Sequence, residues 1–141
     1  MRWITHLGGA GVTLAAGGAL MVLGEARLGL TALLANAGSH VFVQLLKRAV
    51  ARARPCDASG RPLALVDLPD LHSFPSGHAA AATAVAVTVA LAHPTAAPIV
   101  VPVAGLVAYS RVALRVHHVS DVVAGVVLGL GGAIAATHLL R

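Results

Sequence analysis

The residues of this chain that could act on a phosphate are scarce and fall into three short segments. These are KRAVARARP at Lys47–Pro55, PSGH at Pro75–His78 and SRVALRVHHVSD at Ser110–Asp121. In the first, Lys47 and Arg54 stand seven residues apart. On a helix that spacing puts them on one face, about 10.5 Å apart along the axis. An ammonium and a planar guanidinium within that reach suit the oxygens of one phosphate. A basic helix end whose side chains snorkel to a membrane interface has the same composition, and Arg48 and Arg52 take that reading. In the second segment Ser76 can cap a helix, and Gly77 lets an anion approach free backbone amides at the positive end of the helix dipole. His78 would lie in the first turn, a proton donor near neutral pH; a plain capped turn is the alternative. In the third, Arg111 can bind phosphate oxygens in bidentate fashion. His117 and Asp121, four apart, meet on one helix face. A carboxylate bonded to one ring nitrogen would set the tautomer and free the other nitrogen for attack. An ion pair at a helix start accounts for the same two residues.

The elements that must position these groups are apolar. Of 141 residues, 57% are hydrophobic and 11% charged, against ~25% charged in soluble domains. No Asp, Glu, Lys or Arg lies in Leu28–Leu46, Leu71–Ser110 or Val122–Leu140, and Arg2 is the only one before Glu25. A charge at the bilayer centre costs about 2.5–3.5 kcal/mol, and charge here sits at the ends of the runs. The expected fold is all-α: a polytopic transmembrane bundle of about five spanning helices, each of roughly 20 residues. They are expected at Trp3–Leu23, Leu28–Arg54, Pro75–His93, Pro98–Ser110 and Val119–Leu140. Pro55 is expected to stop the second helix at Arg54, and Pro102 to kink the fourth near its start. Alternating topology then brings all three segments to one membrane face. The chain reads as a single domain, residues 1–141, with one polar loop, Cys56–Ser73, whose Asp57, Asp67 and Asp70 are expected to be solvated. Gly125 and Gly129 form a small-xxx-small pair suited to close helix packing.

Net charge is +5, but the cations cluster at the ends of apolar runs and aromatics for stacking on bases are nearly absent. That pattern excludes nucleic acid and favours an anionic lipid or phosphate. A single cysteine, Cys56, excludes an internal disulfide and a cysteine-rich metal site. The first apolar run lacks a basic n-region and a cleavage site, and is expected to be retained as a span.

Taken together, the segments K-x6-RP, PSGH and SR-x5-H-x3-D resemble the signature of the type 2 phosphatidic acid phosphatase superfamily, whose fold is shared with vanadium haloperoxidases. The resemblance runs from about Gly8 to Leu140. It implies that Lys47, Arg54 and Arg111 bind phosphate oxygens, helped by Ser76 and the Gly77 backbone. It implies further that His117 attacks phosphorus, that Asp121 orients His117, and that His78 protonates the leaving oxygen and then helps activate water. No metal and no cofactor are implied. Membrane members of the family resemble a six-span bundle, so the chain is expected to lack their first span. His118 is expected to be a bystander.

The expected function is that of an integral membrane lipid phosphatase. It would hydrolyse a lipid phosphomonoester or lipid diphosphate (polyprenyl diphosphate, phosphatidylglycerol phosphate or phosphatidate) through a phosphohistidine. A phosphotransferase with an alcohol acceptor, and a silent bundle that binds anionic lipid, are the alternatives. A haloperoxidase is disfavoured in a chain built for lipid. Oligomerisation is left open. The basic residues place the active face in the cytoplasm by the positive-inside rule. The family resemblance instead places it outside the bacterial inner membrane, and that side is the expected one.

Overall fold

A computed structural model describes residues 1–68 and 70–141. Its helices are α1 (Arg2–His6), α2 (Ala10–Val22), α3 (Ala26–Val50), α4 (Gly77–Ala92), α5 (Ala97–Ala113) and α6 (Val119–Leu139), with a 3-10 turn at Pro94–Ala96 before α5. Charge-free runs became helices because their backbone groups have no other partner in lipid. The helix formed by α3, the one from Pro94 through α5, and α6 are each long and apolar enough to cross a bilayer. Large apolar side chains face outward all around the bundle, among them Leu34, Phe42, Ile99, Val127 and Ile134. Such a belt would be a liability in water and is matched to hydrocarbon.

Inside, the side chains are small. α4 packs against α2, α3, α5 and α6, and a helix surrounded on four sides has room for little more than alanine. Ala79, Ala80, Ala81, Ala82, Ala84 and Ala86 are all buried. Its closest neighbour is α6. A Cβ at Gly125 would lie 2.4 Å from the Ser76 carbonyl oxygen, and one at Gly129 would lie 2.3 Å from that of Ala80. Backbone therefore meets backbone along this seam, where association rests on van der Waals fit rather than on a hydrophobic drive. The small-xxx-small pair serves packing, as read from the sequence.

Two boundaries differ from expectation. The first apolar run is not one helix: it breaks between His6 and Ala10. A Cβ at Gly8 would lie 2.6 Å from Val107 Cγ1 and 2.8 Å from the His78 carbonyl, so the chain crosses α4 and α5 where only glycine fits. The break lays α1 against α5. The second correction concerns α3, which ends at Val50 rather than Arg54. Ala51 takes a left-handed conformation at φ 47°, and Pro55 comes too late to decide the stop. Pro102 lies within α5, which continues through it.

Candidate anion site at one end of the bundle

The C-terminal ends of α3 and α5 and the N-terminal ends of α4 and α6 meet at one level. Two links tie the connecting segments together: the Ser76 amide donates to the Asp121 carbonyl at 2.9 Å, and the Leu65 amide to the Leu114 carbonyl at 3.1 Å. A cavity of about 690 Å³ opens there, lined among others by Lys47, Arg54, Asp70, Gly77, His78, Arg111 and His117. Three distant segments thus contribute to one concave surface.

Lys47 occupies the last turn of α3 and is buried. With the helix ending at Val50, Arg54 is not on that helix at all, and the shared helix face expected for the pair does not exist. Arg54 returns to the site through a non-helical segment instead. Its guanidinium is buried and donates to the Val116 carbonyl at 2.8 Å, the Asp70 carbonyl at 3.0 Å and Asp70 Oδ1 at 2.8 Å. Lys47 Nζ donates to Asp70 Oδ2 at 2.5 Å and to the His72 carbonyl at 3.4 Å. Asp70 is therefore not a solvated loop residue: one carboxylate neutralises two buried cations. Burial would raise its pKa, and the hydrogen bonds from Lys47 and Arg54 more than offset this, holding it below the ordinary value.

Ser76 caps α4, accepting from the Ala79 amide at 3.4 Å. It is fully buried and lies behind the cavity wall rather than on it. Arg111 is buried in the last turn of α5, where Nη1 donates to Thr5 Oγ1 of α1 at 2.5 Å. Its Nε, also buried, has no hydrogen-bond partner among the described residues. Unpartnered buried donors of a cation are costly, and this one belongs to a residue that lines the cavity.

His117 lies in the turn between α5 and α6. Arg115, left-handed at φ 56°, doubles the chain back so that the Val116 and His117 amides both reach the Arg111 carbonyl, at 3.2 and 3.3 Å. Non-glycine residues rarely adopt this conformation, and it is held here only because its surroundings fix it. His117 Nδ1 lies 2.6 Å from the Ser73 carbonyl. A carbonyl only accepts, so Nδ1 carries the proton and Nε2 keeps its lone pair on a residue that lines the cavity. Burial first, then the charges of Arg111 and Arg54, push the imidazole pKa down to about 3 against the opposing pull of the Ser73 carbonyl. The ring is neutral at physiological pH.

Asp121 does not make the bond to His117 that its spacing suggested. Its Oδ2 lies 3.7 Å from His117 Nδ1 and accepts instead from the His118 amide at 2.8 Å, capping α6. Its Oδ1 accepts from Arg52 Nη1 at 2.9 Å, while the same Arg52 atom reaches Ser120 Oγ at 2.7 Å. Arg52, read as a snorkelling charge, is thus the counter-ion of a fully buried carboxylate. A buried Asp so near a helix start requires a cation or several donors, which was the one available signal for Arg52. Ser73 contributes through its main chain, and no residue type announces that.

The fold and the site define a class: an integral membrane helical bundle with a cavity lined by buried cations and a neutral histidine at its wall. The chain belongs to the PAP2 superfamily, whose family model matches residues 28–141. It is 42% identical over 101 residues to a decaprenylphosphoryl-5-phosphoribose phosphatase of Mycobacterium tuberculosis, covering 69% of this chain and 54% of that one. Over 104 residues it is 35% identical to an undecaprenyl-diphosphatase of Sulfolobus acidocaldarius, covering 73% of this chain and 50% of that one. The chain therefore spans about half the length of these curated relatives. Among solved structures it is similar to a transmembrane PAP2-type phosphatidylglycerolphosphate phosphatase from Bacillus subtilis. That match has a TM-score of 0.78 and 29% identity, and covers 99% of this chain and 74% of that one.

Proposed function

We propose that this protein hydrolyses a lipid phosphate through a phosphoryl group carried on His117. One observation carries the reading: a neutral imidazole whose Nδ1 proton is committed to the Ser73 carbonyl, on the wall of a cavity that also holds Lys47, Arg54 and Arg111. The phosphate displaces the Asp70 carboxylate from Lys47 and Arg54 and engages the unpartnered Nε of Arg111. Three fixed cations then stabilise the charge spread over the equatorial oxygens in the transition state. The Nε2 lone pair of His117 attacks phosphorus as the bond to the lipid oxygen breaks. His78, half-buried at the start of α4 and held as the imidazolium by the negative charge of the bound phosphate, gives that oxygen its proton. In the second step His78 accepts a proton from water, whose oxygen attacks phosphorus, and His117 leaves with its electron pair restored. Asp121 acts on His117 at one remove, through the α6 start that it caps and through its charge. Ser76 and the Gly77 amide hold the positive end of α4 toward the anion.

The names of the relatives support a lipid phosphate as substrate, and the apolar bundle provides for its tail. The site is assigned to the extracytoplasmic face of a bacterial inner membrane, the side that the resemblance to the family implies. Exposed Cys56, in the loop beside the rim, then reacts with a membrane-impermeant maleimide in intact cells, and protection from the reagent would reverse the orientation. The reaction itself is tested by release of inorganic phosphate from lipid phosphates in detergent, with and without EDTA. The wild-type chain releases phosphate in both conditions, and His117→Ala loses at least about 10³-fold while remaining folded. Undiminished turnover by that variant, or a requirement for a divalent metal, refutes the mechanism.

A further inference from the structure

The three cations at the rim are not held alike. Arg54 engages Nε, Nη1 and Nη2 with the Asp70 and Val116 carbonyls and the Asp70 carboxylate, and Lys47 shares that carboxylate. Arg111 forms no ion pair among the described residues, and there its side chain has one hydrogen-bond partner, Thr5 Oγ1, which accepts from Nη1 at 2.5 Å. A guanidinium presents its donors in a rigid planar fork, with Nε and Nη2 along one edge. With Nη1 tethered, that edge is left for two oxygens of an anion, and Nε on it is the buried donor without a partner.

The tether comes from outside residues 28–141, which the family model matches. Thr5 is buried in the five-residue helix α1, and several contacts fix where that helix lies. Its neighbour Ile4 packs against Ala82 and Ala86 of α4 and Ala104 and Val107 of α5. The turn that follows runs past a catalytic candidate: a Cβ at Gly8 would lie 2.8 Å from the His78 carbonyl, and one at Gly9 would lie 3.9 Å from His78 Nε2. Behind the turn, buried Asn36 of α3 donates to Thr13 Oγ1 at 3.0 Å, and Thr13 Oγ1 donates to the Gly9 carbonyl at 3.1 Å. Packing on one side and a polar strut on the other thus hold α1 across the ends of α4 and α5. Thr5 does not line the cavity, so any effect on a bound anion passes through Arg111.

We infer that Thr5 is a positioning residue for phosphoryl transfer: it sets the plane of the Arg111 guanidinium so that the Nε edge meets the bound phosphate, and α1 with the Gly8–Gly9 turn carries it there. The inference rests on the reading of Arg111 as a phosphate ligand. The test uses the full chain in detergent, with a lipid phosphate as substrate and vanadate as the phosphate mimic. Thr5→Val keeps the side-chain shape and removes the acceptor, whereas Thr5→Ser keeps the acceptor. Thr5→Val is expected to weaken vanadate inhibition and to lower kcat/KM by about tenfold each, and Thr5→Ser to stay within about twofold of wild type. An Arg111→Ala background separates positioning from packing. There Thr5→Val should alter vanadate affinity by less than about twofold, read by titration calorimetry where turnover is too low. Should Thr5→Val not fold, Thr5→Ala takes its place in the same cycle. Wild-type values in folded Thr5→Val, equal losses in both backgrounds, or a folded Thr5→Ser as impaired as Thr5→Val overturn the inference and leave the phosphatase reading intact. A wild-type protein that neither binds vanadate nor releases phosphate overturns both.

Discussion

The seam between α4 and α6 and the rim above it are held together by opposite means. Along the seam, Gly125 and Gly129 face the carbonyls of Ser76 and Ala80, and nothing larger than a hydrogen fits between. At the rim, contacts run through long side chains and main-chain carbonyls that reach far across the sequence: Arg54 to Val116, Arg52 to Asp121, His117 to Ser73, Arg111 to Thr5. Shape fixes where the helix ends stand, and hydrogen bonds fix which way the charged groups point. Damage to the seam should therefore remove the protein, whereas damage to the rim should leave it folded and alter its chemistry.

The largest effect is expected at the seam. Gly129→Leu drives a side chain into the Ala80 carbonyl and the Thr83 side chain and should abolish the monodisperse species in detergent chromatography. Gly131→Leu, two residues on but with nothing within 4 Å of its Cβ position, should elute as wild type. Equal behaviour of the two would remove the steric account of the bundle. A smaller, purely chemical effect separates two versions of the rim. Were the Asp121 carboxylate the direct partner of His117, Asp121→Asn would upset the tautomer and cost about 10⁴-fold in kcat, as in a triad. With the Ser73 carbonyl holding Nδ1, the loss should be only about tenfold. Steady-state kinetics on the folded variant decides between them. The mildest effect is expected at Asp70, which competes with an anion for Lys47 and Arg54. Asp70→Ala should tighten vanadate inhibition several-fold, roughly the worth of the two screened ion pairs that this partly exposed carboxylate makes with Lys47 and Arg54. Weaker inhibition would make Asp70 an organiser of the cations instead.

How much of this was legible beforehand follows the same division. Lys47, Arg54, His78, Arg111 and His117 could be named from the sequence because their chemistry resides in their side chains. The helices could be placed because hydrocarbon excludes charge from them. What stayed hidden was carried by the backbone. Ala51 and Arg115 adopt left-handed conformations that neither residue type advertises, and these two turns decide where α3 stops and how His117 is presented. Ser73 acts through a carbonyl, which every residue possesses. Gly8 and Gly9 looked like parts of a long apolar run, and only the approach of His78 and Val107 explains the break that brings Thr5 to Arg111. Asp70 and Arg52 read as solvent and interface residues because a loop acid and a helix-end arginine usually go there, and each is instead paired with buried opposite charge from another segment.

The central claim is that His117 carries the phosphoryl group, and it can be tested by trapping. Detergent-solubilised protein mixed with a lipid phosphate labelled at its terminal phosphorus should, on rapid quenching, yield an acid-labile, alkali-stable label. Peptide mapping should place that label on His117 and on no other residue. Turnover without such a label, or a label on His78 or a carboxylate, would contradict the account.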